Sequence, residues 1–369
     1  MVCGMRLGVN LGHWGAGNDA DHLDVAREAD ELGYAVCWAA EAYGSDAATV
    51  LAWVAAQTRR IDVGSAVFQI PARSAAMTAM TAATLDALSG GRFRLGLGLS
   101  GPQVSEGWHG VRFDSPLART REYVDVVRMA LARQTVRYEG SHLTLPLPDG
   151  PGKALKLTVH PLRERIPLYL AAIGPRNLEL AGELADGWQP IFFSPEHAGP
   201  QLEAIGRGRR AAGHGNDGGD PLEDFDVAAT VPVVVGDDVA AAADVLRGYY
   251  ALYIGGMGSR DENFYHRLAT RMGYGTEADR VQDLYLARQH REAMRAVPFD
   301  LIDASALLGP PERIASRIGA FGEAGVTTLG VASHAGSLAE RLRTLHVVRD
   351  AARTAGVLTE DAADIGADG

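Results

Sequence analysis

Apolar and polar positions alternate along the chain in blocks that predict short strands separated by helices. In the first hundred residues the predicted strands are residues 6–11, 35–40, 61–68 and 93–99. Each of the first three is followed by a stretch with helical spacing, and the fourth by a helix over residues 117–133. Strands that alternate with helices imply crossover connections and a parallel sheet.

The second half of the chain repeats this alternation, with predicted strands at residues 168–173, 187–192, 227–235 and 327–332. Two segments interrupt it. Residues 135–165 carry prolines and glycines and predict a loop or hairpin after strand four, and residues 246–297 predict a mostly helical excursion after strand seven. Eight strands with intervening helices favour a (β/α)8 TIM barrel, with an open doubly wound sheet as the structural alternative. We expect one domain over residues 1–356 and a flexible acidic tail over 357–369.

Composition narrows the class of protein. The net charge of -11 argues against binding of DNA or RNA, which requires a basic surface. No apolar run is long enough to cross a membrane, and the first residues lack the apolar core of a signal peptide. The two cysteines, Cys3 and Cys37, are not expected to pair, which favours a reducing compartment. We therefore expect a cytoplasmic protein with a small-molecule substrate.

Two glycine-containing segments are candidates for cofactor binding. Residues 96–101 match the G-x-G-x-x-G pattern, but they lie on the fourth strand and no sustained helical pattern follows, which disfavours a dinucleotide-binding turn. Their glycines either permit close packing of the strand or clear space for a flat ring. Residues 174–177 follow the fifth strand and open a helix, where free N–H groups attract phosphate. An ordinary strand-to-helix turn is the alternative there.

Other chemical motifs are missing from the sequence. The eleven histidines form no i, i+4 pair and there is no Cys-x-x-Cys, so we predict no metal site. The polar and aromatic residues that follow predicted strands remain as candidates, because the loops after the strands carry the active site of such a barrel. These residues are His13, Trp14, Glu41, Tyr43, Gln69, Glu106, Trp108 and His109.

Several segments together resemble the bacterial luciferase-like family of flavin and deazaflavin oxidoreductases. They are residues 85–92 running into 95–98, then 100–103, 106–108, 116–123, 185–188 and 308–312. Residues 253–258 and 263–265 resemble a subgroup that uses coenzyme F420, which favours that cofactor over FMN. The resemblance implies a barrel that is usually a homodimer, with the cofactor ring in the mouth of the barrel.

The resemblance also implies positions for the cofactor. A non-prolyl cis peptide between Ala66 and Val67 would support the deazaflavin ring, and Glu41 would contact it. The loop after strand four and the turn after strand five would hold the polar chain and the phosphate. The matching residues are Gly98, Ser100, Gly101, Gly174, Pro175, Arg176 and Asn177. Arg73, Arg176 and Arg260 are further candidates for an anionic cofactor tail.

The sequence departs from the family where a histidine and a glutamate are expected, since Ala42 and about Gly101 stand there. Proton delivery is therefore assigned to His13, Glu106 or His109. The predicted substrate pocket consists of Trp14, Tyr43, Gln69, Trp108, Tyr253 and Met257. We predict an F420-dependent oxidoreductase that moves a hydride between the deazaflavin C5 and an organic substrate. The alternatives are an FMN-dependent monooxygenase and an F420-binding protein without turnover.

Overall fold

The computed structural model describes residues 4–12 and 19–359. Within these residues, eight parallel strands close into a barrel, because β7 pairs with both β6 and β8 and β8 pairs with β1. The strands are β1 (Arg6–Asn10), β2 (Val36–Ala39), β3 (Asp62–Ser65), β4 (Phe93–Gly98), β5 (Leu168–Leu170), β6 (Gly187–Trp188), β7 (Asp226–Val235) and β8 (Thr328–Ser333). The predicted (β/α)8 barrel is confirmed and the open sheet is excluded.

Helices follow the strands and cover the outside of the barrel. Their bounds are Asp19–Glu31, Ala47–Gln57, Ala75–Ser89, Pro102–Gly107, Pro116–Leu131, Pro175–Leu184, Gly199–Ala211, Val239–Ala251, Phe264–Arg271, Gly275–Leu286, His290–Ala296, Phe299–Ala304, Pro311–Glu323 and Leu338–Thr354. Local sequence sets several ends. Asp46 and Ser74 accept hydrogen bonds from backbone N–H groups three residues on, and Ser337 with Glu340 forms a capping box.

The two excursions lie where they were predicted. After β4, Tyr138–Glu139 and Thr144–Leu145 form an antiparallel hairpin. After β7, the helices between Val239 and Ala304 pack on one another around a second apolar cluster, which includes Phe192 from the β6 loop. This cluster lies beside the barrel's own core, so the inserted helices have a packed interior of their own.

Three short elements differ from the prediction. The third strand was predicted to run from 61 to 68, but β3 ends at Ser65 and a new strand, Phe68–Gln69, pairs with β4. The strand Leu307–Gly309 beside β7 and the six-residue helix Pro102–Gly107 were not predicted. Elements this short carry too few residues for a periodic pattern to identify them.

The closed, amino-terminal end of the barrel is filled by aromatic rings and paired charges. The rings of Trp38 and Tyr169 meet edge to face, with centroids 5.3 Å apart. A Cβ at Gly64 would lie 2.2 Å from the Trp38 ring, so only glycine leaves room for it. Beneath the rings, the Asp226 carboxylate lies 2.9 Å from Arg6 and 3.4 Å from Arg94.

The chain returns to its start at the described carboxyl end. Val357 accepts a hydrogen bond from the Met5 N–H, and the Thr359 N–H donates to Met5. Residues 357–359 of the predicted tail thus lie beside β1, residues 360–369 lie outside the described part of the chain, and the flexible tail stays a prediction. Among the described residues, no helix is long and apolar enough to cross a membrane.

Candidate active site

A cavity of about 1730 Å³ opens at the carboxyl ends of the barrel strands. It exceeds the few hundred to 1000 Å³ typical of small-molecule sites, so it has room for a cofactor and a substrate together. Residues at or just after the strand ends line it, and they include Asn10, Glu41, Ala66, Gly98, Ala171, Gln189, Pro232 and His334.

On the β3–β4 side, the backbone itself forms the cavity wall. The peptide bond between Ala66 and Val67 is cis, as the resemblance implied, and both residues line the cavity. A Cβ at Gly98 would lie 2.5 Å from Cγ2 of Val67, and one at Gly96 would lie 2.0 Å from the Ser65 carbonyl oxygen. The glycines of β4 therefore permit close packing against β3, which was one of the two interpretations of this segment.

Glu41 anchors the loops that follow β2 and β3. Its carboxylate accepts hydrogen bonds from the Gln69 and Ala47 N–H groups at 3.2 and 3.3 Å and pairs with Arg73. Burial alone would lower the pKa of Arg73, but the Glu41 and Asp46 carboxylates outweigh it and raise that pKa. Glu41 lines the cavity as predicted, yet its charge is already balanced by Arg73.

Two buried amide oxygens in the cavity have no hydrogen-bond partner in the described part of the chain. Gln69 is 3% exposed, and its Nε2 donates to the Ala42 carbonyl at 2.6 Å, which leaves Oε1 unpaired. Gln189 donates from Nε2 to the Ser65 carbonyl at 3.2 Å and also leaves Oε1 unpaired. A buried acceptor without a donor costs roughly 1–3 kcal/mol, and an N–H or O–H donor brought to either oxygen would remove that cost.

The turn after β5 presents a helix N-terminus to the same cavity. Gly174 precedes the helix Pro175–Leu184, and residues 174–177 all line the cavity. Arg176 is exposed, and no ion pair or hydrogen bond joins its side chain to the described residues. Arg73 and Arg260, the other arginines considered for an anionic tail, are paired with Glu41 and Asp283 respectively. This excludes them as free charges and leaves Arg176.

The inserted segment supplies Tyr249, Tyr253 and Tyr265 to the cavity lining, and His334, which follows β8, completes an aromatic wall with them. The ring centroids of Tyr253 lie 4.8 Å from those of Tyr249 and Tyr265, and His334 meets Tyr249 edge to face at 5.4 Å. Burial raises the pKa of each tyrosine and lowers that of His334, so the wall is uncharged at neutral pH.

The model of the family described as luciferase-like monooxygenase matches residues 5–328. The chain belongs to this family. Among luciferase-like proteins it is 44% identical over 350 residues to coenzyme F420-dependent oxidoreductase Rv3520c of Mycobacterium tuberculosis, covering 94% of this chain and 99% of that one. It is 29% identical to 5,10-methylenetetrahydromethanopterin reductase of Methanolobus tindarius, covering 86% of this chain and 91% of the relative.

A solved structure supports the fold. The coenzyme F420-dependent tetrahydromethanopterin reductase of Methanopyrus kandleri superposes with a TM-score of 0.77 at 23% identity, covering 94% of this chain and 97% of the other. At that identity the similarity establishes the luciferase-like barrel and its connections.

Of the remaining site residues predicted for this luciferase-like protein, some line the cavity and others do not. Met257 lines the cavity, and Tyr43 and Trp108 stand at its rim with 58% and 67% of their surface exposed. Glu106 and His109 do not line it: Glu106 lies exposed on the helix Pro102–Gly107, and His109 follows that helix with its Nε2 buried. The Glu106 carboxylate instead accepts a hydrogen bond from the Phe113 N–H at 3.0 Å.

His13 and Trp14 lie outside the described residues, so their roles stay predictions. Five further lining residues were not predicted from the sequence: Asn10, Gln189, Tyr249, Tyr265 and His334. His334 could have been found, since it directly follows β8 and polar residues after strands were the criterion. Gln189 was hidden because the predicted sixth strand extended beyond it.

Proposed function

We propose that this protein is a coenzyme F420-dependent oxidoreductase that transfers a hydride between the deazaflavin C5 and an organic substrate at the mouth of its barrel. The cofactor choice is supported by the 44% identity to a protein named for F420 dependence, over almost the full length of both chains. The observation that carries the site assignment is the pair of unpaired amide oxygens beside the Ala66–Val67 wall.

The residues on this side of the cavity fit a deazaflavin ring. The dione ring of a deazaflavin carries an N–H donor, and Oε1 of Gln69 or Gln189 would accept from it. Ala66, Val67 and Gly98 offer a flat surface without polar side chains for the ring face. Glu41 contributes by holding the Gln69 backbone in place, because its carboxylate accepts the Gln69 N–H.

The helix that starts after Gly174 fits the phosphate of the cofactor. An added Cβ at Gly174 would meet no atom within 4 Å, so the space before the helix is open to the cavity. The N–H groups of Arg176 and Asn177 are in the first helical turn, where they have no intrahelical acceptor. Together with the unpaired Arg176 guanidinium they would hold an anionic group.

When bound, the deazaflavin supplies two electrons as a hydride from C5. The chain's own residues would orient the cofactor and shield it from water on the barrel side. The space between this side and the aromatic wall is left for the substrate. Glu106 and His109 do not line this space, so the proton donor is proposed elsewhere.

We also propose that the protein forms a homodimer. The helices Ala47–Gln57 and Ala75–Ser89 pack against each other and carry an exposed set of large apolar side chains. These are Trp53, Met77, Met80 and Leu88, each between 42% and 65% exposed. Clustered exposed side chains of this size are typical of a covered surface. A cytoplasmic location stays a prediction.

Equilibrium binding of F420 and of FMN, followed by fluorescence side by side, tests the cofactor assignment. We expect selective F420 binding, and an approximately tenfold weaker affinity in Gln69→Leu, because that variant removes a buried acceptor worth about 1.4 kcal/mol. Gln201→Leu is the matched control, since Gln201 lies on a helix away from the cavity.

Selective FMN binding would move the protein to the monooxygenase alternative, and binding of neither cofactor would reject the proposal. The alternative without turnover predicts F420 binding in which no electrophile oxidises the reduced cofactor.

A further inference from the structure

Tyr253 occupies an unusual backbone segment. Leu252–Gly256 forms one π-helical turn directly after the helix Val239–Ala251. Such turns shift the register of a helix and are common at functional sites. Here the turn places Tyr253 in the cavity wall, while Gly255 and Gly256 lie so close to the Tyr285 side chain that an added Cβ would come within 2.5 Å of it.

A buried asparagine fixes this turn. Asn263 is 2% exposed, and its Nδ2 donates to the carbonyl oxygens of Tyr253 and Ile254 at 3.2 and 2.8 Å. Its Oδ1 accepts from the first N–H groups of the helix Phe264–Arg271, including that of Tyr265. One side chain therefore sets the positions of Tyr253 and Tyr265 together, and it does so without using either hydroxyl.

The hydroxyl of Tyr253 is hydrogen bonded to that of Tyr249. Burial raises the pKa of Tyr253, and the hydrogen bond with Tyr249 offsets part of this rise. Burial also raises the pKa of Tyr249, so both hydroxyl groups are protonated at neutral pH. Tyr249 and Tyr253 both line the cavity, with their ring centroids 4.8 Å apart. In a pair of hydroxyl groups only one proton is shared, so the other is free for an acceptor in the cavity.

The residues around Tyr253 determine which kind of substrate atom could accept its hydroxyl proton. Neutral phenol and imidazole groups surround it, and Glu262 is the nearest lining carboxylate in sequence, at the exposed rim. Aromatic rings on this side favour an apolar substrate, and a neutral O–H donor favours an uncharged oxygen. A carbonyl compound combines both properties.

We propose that Tyr253 donates its hydroxyl proton to the oxygen of an apolar carbonyl substrate, with Tyr249 as a positioning residue. The inference rests on the proposed function. In the reduction, hydride forms a C–H bond at the carbonyl carbon and the C=O π pair moves to oxygen. The oxygen then takes the Tyr253 proton to give the alcohol, and the two electrons come from the reduced cofactor. Water returns a proton to Tyr253 after the product leaves.

Infrared difference spectroscopy with carbonyl-labelled acetophenone tests this step without turnover. The protein loaded with oxidised F420 cannot reduce the ketone, so the carbonyl stretch reports only the hydrogen bonds that the bound ketone accepts. We expect the stretch to move to lower frequency in the wild-type protein. In Tyr253→Phe it should return to the frequency of acetophenone in an apolar solvent.

Tyr250→Phe is the matched control. Tyr250 neighbours Tyr249 on the same helix, but its hydroxyl bonds to Ser305 at 2.8 Å and it does not line the cavity. The shifted stretch should persist in this variant. The inference is wrong if acetophenone does not bind the loaded protein at millimolar concentration, or if Tyr253→Phe keeps the shift.

Single-turnover oxidation of reduced F420 by acetophenone gives a second readout. Loss of a general acid lowers such rates by about 10²–10⁴-fold, so Tyr253→Phe should fall in that range. Tyr249→Phe should slow the step less than Tyr253→Phe does. Failure of F420 itself to bind would reject the proposed function, whereas normal F420 binding with an unchanged rate in Tyr253→Phe rejects only this inference.

Discussion

The two ends of the barrel use polar residues in opposite ways. At the closed end, the Asp226 carboxylate forms ion pairs with Arg6 and Arg94. It also accepts hydrogen bonds from three hydroxyl groups, those of Tyr169, Thr327 and Thr328, so the protein itself balances its charge. At the open end, Oε1 of Gln69 and of Gln189 is buried without a partner in the described residues. The carboxylate at the closed end is satisfied by the protein, whereas the open end, although Glu41 and Arg73 pair there, keeps two amide acceptors without a donor.

The largest effect on stability is expected from a substitution at the closed end. Asp226→Asn removes the carboxylate charge that Arg6 and the buried Arg94 share. We expect a loss of about 3–5 kcal/mol in the free energy of unfolding, measured with urea, and little change in F420 affinity of the folded protein. Asp283→Asn is the control, because it removes only an exposed pair with Arg260 and should cost less than about 1 kcal/mol.

The same carboxylate gives a pH dependence of known sign. Burial alone would raise the pKa of Asp226, but Arg6 and Arg94 lower it below the ordinary value of 3.8. A lowered pKa in the folded state stabilises the protein above that value, and the stabilisation is lost as the pH falls below it. Asp226→Asn should therefore flatten the acid limb of the stability curve. An unchanged acid limb would contradict the role given to the closed end.

At the open end, the sharpest effect on binding is expected from Gly174→Trp. The new side chain enters open space before the helix, so it should block the phosphate site without disturbing the fold. We expect F420 affinity to fall on the order of 100-fold, about 2.7 kcal/mol. Gly199→Trp is matched, since Gly199 also opens a helix into free space but does not line the cavity. Equal F420 affinities in the two variants would contradict the assignment of the phosphate site to this turn.

The barrel architecture was predicted from the sequence more completely than the set of residues that line the cavity, and the reason is physical. Strands and helices arise from local periodicity, and residues 174–177 were found because a helix start has a local signature. Which side chains share a cavity depends on contacts between distant segments. Gln189 meets Ser65, and Tyr249 meets His334, across intervals that no local pattern spans. Glu106 and His109 were predicted to lie at the mouth but do not line the cavity, because a short helix that no periodic pattern predicted occupies residues 102–107.

The smallest effect is expected from Arg176→Ala. The side chain is exposed, so its ion pair with a cofactor phosphate is screened by water and worth up to about 1 kcal/mol. F420 affinity should fall up to about fivefold at low salt, and the difference from wild type should shrink as the salt concentration rises. Arg260→Ala is the control, because Arg260 already pairs with Asp283. A loss of affinity independent of salt would contradict an ionic role for Arg176.

Hydrogen–deuterium exchange of the protein with and without F420 tests the difference between the two ends most directly. Binding should slow exchange in the loops at the open end, over residues 66–70, 98–103 and 174–178. It should leave residues 222–226 at the closed end unchanged. Protection confined to those open-end loops is the predicted result. Protection elsewhere on the barrel, or no protection at saturating F420, would contradict the assignment of the mouth as the cofactor site.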